Sequence, residues 1–266
     1  MNKFRKIIKA LGLIIRKPYL LNHIIEDEGL WQQYIKKKYD LPNGLPWIPI
    51  TDLFPDFNET VVPYAYLDGA TLPIDIAFLK ALAGKYQVKH YFEIGTWRGE
   101  SVANVAAVVP DCVTLNLSNA EIIKSGMSED YKKMHRFFSS ELINVKHIEG
   151  NSQNYDFSEY LQQFDLVFVD GDHHYNNVVK DTKTAFQLIK DEHKIIVWHD
   201  YAFEPETIRW SVMAGILDAC PPEKRKNIYH VSNTLCAIYI NENITSSWLK
   251  INAQPSHYFE IGIKAL

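Results

Sequence analysis

An α/β fold built on a parallel sheet is what the sequence predicts, on three observations. Apolar runs at residues 91–94, 113–117, 145–148, 166–169 and 195–198 alternate with helical segments such as 101–108 and 178–189. Strands joined through helices are the pattern of a parallel sheet. The first run leads into a glycine turn, "YFEIGTWRGES" at 91–101, and the last two end in acids and histidines. Open parallel sheets bind ligands beyond the carboxyl ends of their strands, which is where these groups fall.

With 266 residues and 47% hydrophobic content, the chain is long enough for a sizeable core. A net charge of −4 offers no overall basic field, so no nucleic-acid partner is expected. Cys112, Cys220 and Cys236 are scattered without CxxC spacing, which implies neither a disulfide framework nor a zinc site and fits a reducing cytoplasm.

At the N-terminus, Lys3, Arg5, Lys6, Lys9, Arg16 and Lys17 put six positive charges and no acid in the first 17 residues, leaving −10 for the remainder. Phe4, Ile7, Ile8, Leu11, Ile14 and Ile15 recur among them at helical spacing, making a basic amphipathic helix. Lys9 interrupts the apolar stretch, and Arg16-Lys17 ends it without a small-residue cleavage site. It is therefore no secretory signal, and it is too short to span a bilayer. Two readings stay open: peripheral contact of residues 1–17 with a membrane surface, or docking on the chain's own domain or on a partner subunit of a homo-oligomer.

From about residue 18 to 70, aromatic residues and Pro42, Pro46, Pro49, Pro55 and Pro63 predict irregular packing segments around short helices. Residues 1–70 thus read as an N-terminal helical extension, a cap or lid with no catalytic motif, on a domain of residues 71–266. Residues 73–82 read as a helix leading into the first strand. "HYFEIG" at 90–95 recurs at 257–262 without the following helix, which reads as chance recurrence of a good strand sequence.

The glycine turn is a binding site by its composition. Glycine lets backbone approach a ligand, and the following helix N-terminus offers free N–H groups. Trp97 stands where a dinucleotide fingerprint needs its middle glycine, and Glu100 follows Gly99 where a phosphate-binding loop needs lysine. Glu93 on the strand, Gly95 and Gly99 at the turn and Ser101 in the first helical turn suit a zwitterionic ligand better. At the other strand ends stand "DGDHHY" (170–175), "HDY" (199–201) and "EGNSQ" (149–153). They supply Asp170, Asp172, His173, His174, His199 and Asp200, with Asn151 and Ser152 as polar contacts. Histidine and carboxylate together offer acid–base chemistry or ligation of a divalent metal.

"FEIGTWRGES", "FDLVFVDGDHHY" and "IIVWHDY" resemble the first, fourth and fifth-strand motifs of class I S-adenosylmethionine-dependent methyltransferases. The resemblance covers roughly residues 66–240 and is closest to the group related to macrolide and aminocoumarin sugar O-methyltransferases. It implies a Rossmann-like, mostly parallel sheet with helices on both faces, closed by an antiparallel hairpin in "NIYHVSNTLCAIYI" (227–240). It also implies S-adenosyl-L-methionine as cofactor, with Glu93, Gly95, Thr96, Gly99 and Ser101 around its methionyl part. Asn151 and Ser152 would cover the adenine, and Asp170 would stand between cofactor and acceptor. The family's ribose-binding acid is absent, Asn116 and Ser118 standing in its place with Glu121 further on. Where the group often has paired acids for a divalent cation, this chain has His199-Asp200. The cation ligands implied are Asp170, His199 and Asp200, for magnesium or manganese, with Asp200 and His173 as the catalytic pair.

The function expected is O-methylation of a small molecule or glycan-type acceptor, by a cytoplasmic protein that is soluble or peripheral to a membrane. A non-catalytic scaffold or assembly protein that keeps the fold is the rival from another class. A nucleotide-sugar oxidoreductase is disfavoured by the missing glycine.

Overall fold

The computed structural model describes residues 2–21, 27–69, 71–248 and 258–265. Its sheet begins with a short edge strand, β1 (Trp47–Ile48), followed by β2 (His90–Ile94), β3 (Asp111–Asn116), β4 (Val145–Glu149), β5 (Leu166–Val169) and β6 (Ile195–Trp198). A separate hairpin, β7 (Ala202–Glu204) and β8 (Thr207–Ile208), precedes β9 (Ile228–Val231) and β10 (Ala237–Tyr239). The order across the sheet is β1-β9-β10-β6-β5-β2-β3-β4. β2 to β6 are mutually parallel, whereas β10 runs antiparallel to both β6 and β9, giving the expected closing hairpin. β1 was not foreseen; it pairs parallel to β9, Trp47 opposite His230, and so stitches the N-terminal segment into the sheet.

The helices are α1 (Lys3–Arg16), α2 (Glu28–Tyr39), α3 (Ile50–Leu53), α4 (Pro73–Lys85), α5 (Glu100–Ala106), α6 (Asn119–Lys124), α7 (Glu129–Met134), α8 (Tyr175–Leu188) and α9 (Trp210–Ala219). Alternate residues of the parallel strands serve opposite faces. Phe92, Ile94, Val167, Val169, Ile196 and Trp198 pack with α8, α9 and Ile35 of α2. Tyr91, Leu166, Phe168, Ile195 and Val197 pack instead with Phe78, Leu79 and Leu82 of α4 and with Val102 and Val105 of α5. Burial on both faces explains why these strands read as continuous apolar runs.

Where short helices were expected, α2 is a regular helix of 12 residues. Asp27 caps it, its Oδ1 accepting from Leu30 N at 3.1 Å, and Lys36, Lys37 and Lys38 face the negative end of its dipole. The helix lies along α9 and is bonded to it at both ends. Glu28 caps the start of α9, accepting from Trp210 N, from Ser211 N at 3.3 Å and from Ser211 Oγ at 2.7 Å. Near its far end Asp218 accepts from Tyr34 (2.6 Å), Lys38 (2.7 Å), Tyr175 (2.6 Å) and Tyr39.

α1 is capped by Asn2, whose Oδ1 accepts from Arg5 N at 3.0 Å, and it buries none of its residues. Docking on the chain's own domain is therefore not what the described residues do. Of the second "HYFEIG", His257 lies outside the described residues and 258–262 form no strand; Phe259 instead meets Phe57 edge-on at 6.3 Å. A strand sequence needs a partner edge as well as propensity.

Asp218 gives a direct test of the α2–α9 clamp. Burial opposes its charge, but the hydrogen bonds from Lys38, Tyr175, Tyr34 and Tyr39 outweigh burial and hold its pKa down to about 2. Asp218→Ala is expected to destabilise the protein by about 1–3 kcal/mol at neutral pH, read from urea unfolding. A depressed carboxyl stabilises above its unfolded pKa and loses that contribution as pH falls, so wild type and variant should converge between pH 3.8 and about 2.

Candidate active site

The turn after β2 is shaped by backbone constraints. Gly95 has φ +99°, and a Cβ there would collide with the carbonyl oxygen of Asp170 at the end of β5. Gly99 has φ +81°, and its missing side chain leaves room for Ser139. Trp97 adopts φ +45°, a left-handed conformation costly for a bulky residue.

A strap of residues 62–69 is tied to this turn and to α5. Val62 N donates to Asn104 Oδ1 and Ala65 N to Glu100 Oε1, each at 2.7 Å. The buried Arg98 guanidinium donates to the carbonyls of Asp68 (2.9 Å) and Leu67 (3.1 Å). The strap thereby brings Asp68 and Gly69 to the rim of a cleft of about 830 Å³ that opens over the ends of β2, β3, β4 and β5. That volume lies within the usual range of small-molecule sites.

Gly95, Asn116, Asn151, Ser152, Asp170, His173, His199 and Asp200 all line this cleft. Glu93, Thr96, Gly99, Ser101 and Ser118 do not, although they surround its framework. Glu93 is fully buried, accepting from Tyr91 Oη at 2.7 Å and from Thr114 Oγ1 at 3.3 Å. Burial pushes its carboxyl up to about 8, against the hydrogen bonds of Tyr91 and Ser101. Thr96 and Thr114 share a hydroxyl–hydroxyl hydrogen bond of 2.6 Å. Ser118 caps α6 in a capping box with Glu121.

At the outer wall Met127, Tyr131 and His135 face the cleft beside Trp97, whose ring lies 4.1 Å from that of Tyr131. The Asn116 amide donates to Nδ1 of His135, leaving Nε2 as the protonated nitrogen, buried without a partner. Sequence reasoning placed Asn116 here but missed His135, because nothing in the spacing links the two.

The densest charge lies where β5 and β6 end. His199 Nδ1 is 3.0 Å from Asp170 Oδ1 and 3.4 Å from Asp200 Oδ2, yet it is buried without a well-aligned hydrogen bond. Its Nε2 is held at 3.0 Å by Asp75 Oδ2, a fully buried carboxylate on α4 whose Oδ1 accepts from Leu235 N at 3.0 Å. Burial opposes protonation of the ring, but Asp170, Asp200 and Asp75 outweigh it and push its pKa well above the ordinary histidine value. Burial pushes the Asp170 carboxyl up despite His199, and Thr71 Oγ1 donates to it at 3.0 Å. Burial works in the same direction on Asp200, but His199 and then Arg209 hold it down to about 2.

One ligand atom each from Asp170, His199 and Asp200 lies within 4.8 Å of the others, a spacing that can enclose a cation. His173 stands beside them, Nδ1 3.9 Å from Asp200 Oδ2, half-exposed. Burial and then the Arg209 charge lower its pKa and favour a neutral ring. Asp75 and Thr71 were missed by sequence reasoning. Asp75 had one available signal, a lone acid between Ile74 and Ile76 in a strongly apolar helix.

Residues 92–201 match a family model described as a methyltransferase domain. Among curated proteins, the chain is 27% identical over 158 residues to uncharacterized protein R132 of Acanthamoeba polyphaga mimivirus, covering 54% of this chain and 64% of that protein. The match thus spans less than two thirds of that relative's length. Among solved structures, similarity is found to an O-methyltransferase from Bacillus cereus in complex with SAH (TM-score 0.39, 16% identity, 71% of this chain and 82% of the other). It is also found to the SAH-bound Podospora anserina methyltransferase PaMTH1 (0.46, 20%, 81% and 97%). A third is TomG of Streptomyces achromogenes, an O-methyltransferase of tomaymycin synthesis in complex with SAM (0.43, 16%, 66% and 83%). Over residues 92–201, the chain is thus similar to a methyltransferase domain.

Proposed function

We propose that the chain methylates a hydroxyl of a small-molecule or glycan-type acceptor, with a divalent cation held by Asp170, His199 and Asp200. The observation that carries this reading is the buried Nδ1 of His199. It lies 3.0 Å from Asp170 Oδ1 and 3.4 Å from Asp200 Oδ2 while Asp75 fixes the other ring nitrogen, as the outer partner of a metal-bound histidine does. Two carboxylates and an imidazole fit manganese well and magnesium acceptably. A divalent cation held there would lower the pKa of an acceptor hydroxyl and relieve the repulsion between the acids.

The chain's own groups supply the rest. Asn151, Ser152 and Gln153 after β4 and Asn116 at the end of β3 offer neutral hydrogen-bonding edges to a nucleoside. The Gly95 turn admits the methionyl part of the cofactor close to backbone. His173 would take the hydroxyl proton as the acceptor oxygen bonds to the methyl carbon and the carbon–sulfur bond breaks, its electron pair going to sulfur and S-adenosylhomocysteine leaving, with Asp200 beside the ring. Trp97, Tyr131 and His135 wall the cleft on the nucleoside side.

Isothermal calorimetry is expected to show S-adenosylmethionine and S-adenosylhomocysteine binding, with no heat from a nicotinamide dinucleotide. Absence of both adenosyl ligands would leave the non-catalytic scaffold as the better account.

Manganese titration tests the cation site separately. Asp200→Ala should abolish high-affinity manganese binding. Asp75→Asn, which keeps one acceptor for Leu235 N, should weaken it by about 10–100-fold while S-adenosylhomocysteine affinity stays unchanged. Unaltered manganese affinity in Asp200→Ala would remove the cation from the reading and leave His173 as the principal base.

A further inference from the structure

The basic N-terminal segment is unused by the cleft. Phe4, Ile7, Ile8, Leu11 and Ile15 occupy one arc of α1 and are each 51–80% exposed. Arg5, Lys6, Lys9 and Arg16 occupy the opposite arc. The exposed apolar surface continues past the helix through Tyr19 and Leu21, in the short 3₁₀ turn Pro18–Leu21. Large apolar side chains lined up in water mark a surface that something covers.

The occupant has to match both arcs. A polyanion alone would satisfy the bases and leave the apolar arc wet. A second α1 would cover the apolar arc but set another five positive charges beside the first five. An anionic bilayer surface satisfies both, since apolar side chains enter the headgroup boundary while lysine and arginine reach lipid charges. The remaining −10 of the chain offers such a surface no net attraction, so the charge complementarity lies in this segment.

We propose that residues 2–21 dock the protein on an anionic membrane surface, α1 lying in the interface with its apolar arc inward. This inference is independent of the methyltransferase reading.

Co-sedimentation of the full-length protein with vesicles tests it. Recovery should be about tenfold higher with phosphatidylcholine–phosphatidylserine vesicles than with phosphatidylcholine alone, and should fall severalfold at roughly 0.5 M salt. Ile7→Ser/Leu11→Ser, which keeps every charge, should reduce recovery about tenfold while unfolding of the sheet domain is unchanged. Equal recovery of this variant and wild type would overturn the proposal, as would recovery independent of lipid charge. A wild-type dimer that becomes monomeric in Ile7→Ser/Leu11→Ser, with neither protein bound to vesicles, would overturn it in favour of a second copy as the occupant.

Discussion

The cleft depends on how closely two backbones approach where β2 and β5 end. Asp170 N donates to Ile94 O at 2.8 Å, and Gly95 N donates across to Leu115 O at 2.9 Å, so the chain leaves β2 while still bonded to both neighbouring strands. Only a residue without a side chain can then turn beneath the Asp170 carbonyl. This contact lies where the strand order departs in both directions from β2, the place at which an open α/β sheet forms its crevice. Strap, turn and outer wall are arranged around it.

A second constraint is electrostatic. Asp75, Asp170 and Asp200 converge on one imidazole, with the Arg209 guanidinium 3.3 Å from Asp200 as a further positive partner. Carboxylates withdrawn from water require compensation by charge or hydrogen bonds. The fold meets part of that requirement from a distance in sequence, because Asp75 comes from α4 and its second oxygen is satisfied by Leu235 in the β9–β10 connection. The closing hairpin therefore helps hold His199 as well as completing the sheet.

How much was legible in the sequence follows from whether a signal was local. The parallel strands were readable because burial on both faces makes them apolar throughout, and their polar ends stood out by contrast. Helix ends moved by a few residues, α5 being Glu100–Ala106 and α8 Tyr175–Leu188, since fraying turns carry little periodicity. α2 was obscured by the prolines that follow it, although Asp27 and Lys36–Lys38 are ordinary helix-end signals. β1 could not be read at all, because a two-residue strand exists only through the edge it joins. At the cleft, residues at strand ends were found, whereas Asp75, Thr71 and His135 arrive from elsewhere in the chain through tertiary packing.

Glu93 carries a consequence for the whole fold. Its carboxyl lies sealed in the sheet with a pKa of about 8 against an ordinary 4.5, so the folded protein keeps a proton there that the unfolded chain gives up across most of that interval. Folding at neutral pH is accordingly a proton-consuming reaction at this strand. The contribution is fully present below pH 4.5 and is lost as pH rises through about 8, so alkaline conditions load the framework from inside the sheet, beneath the cleft.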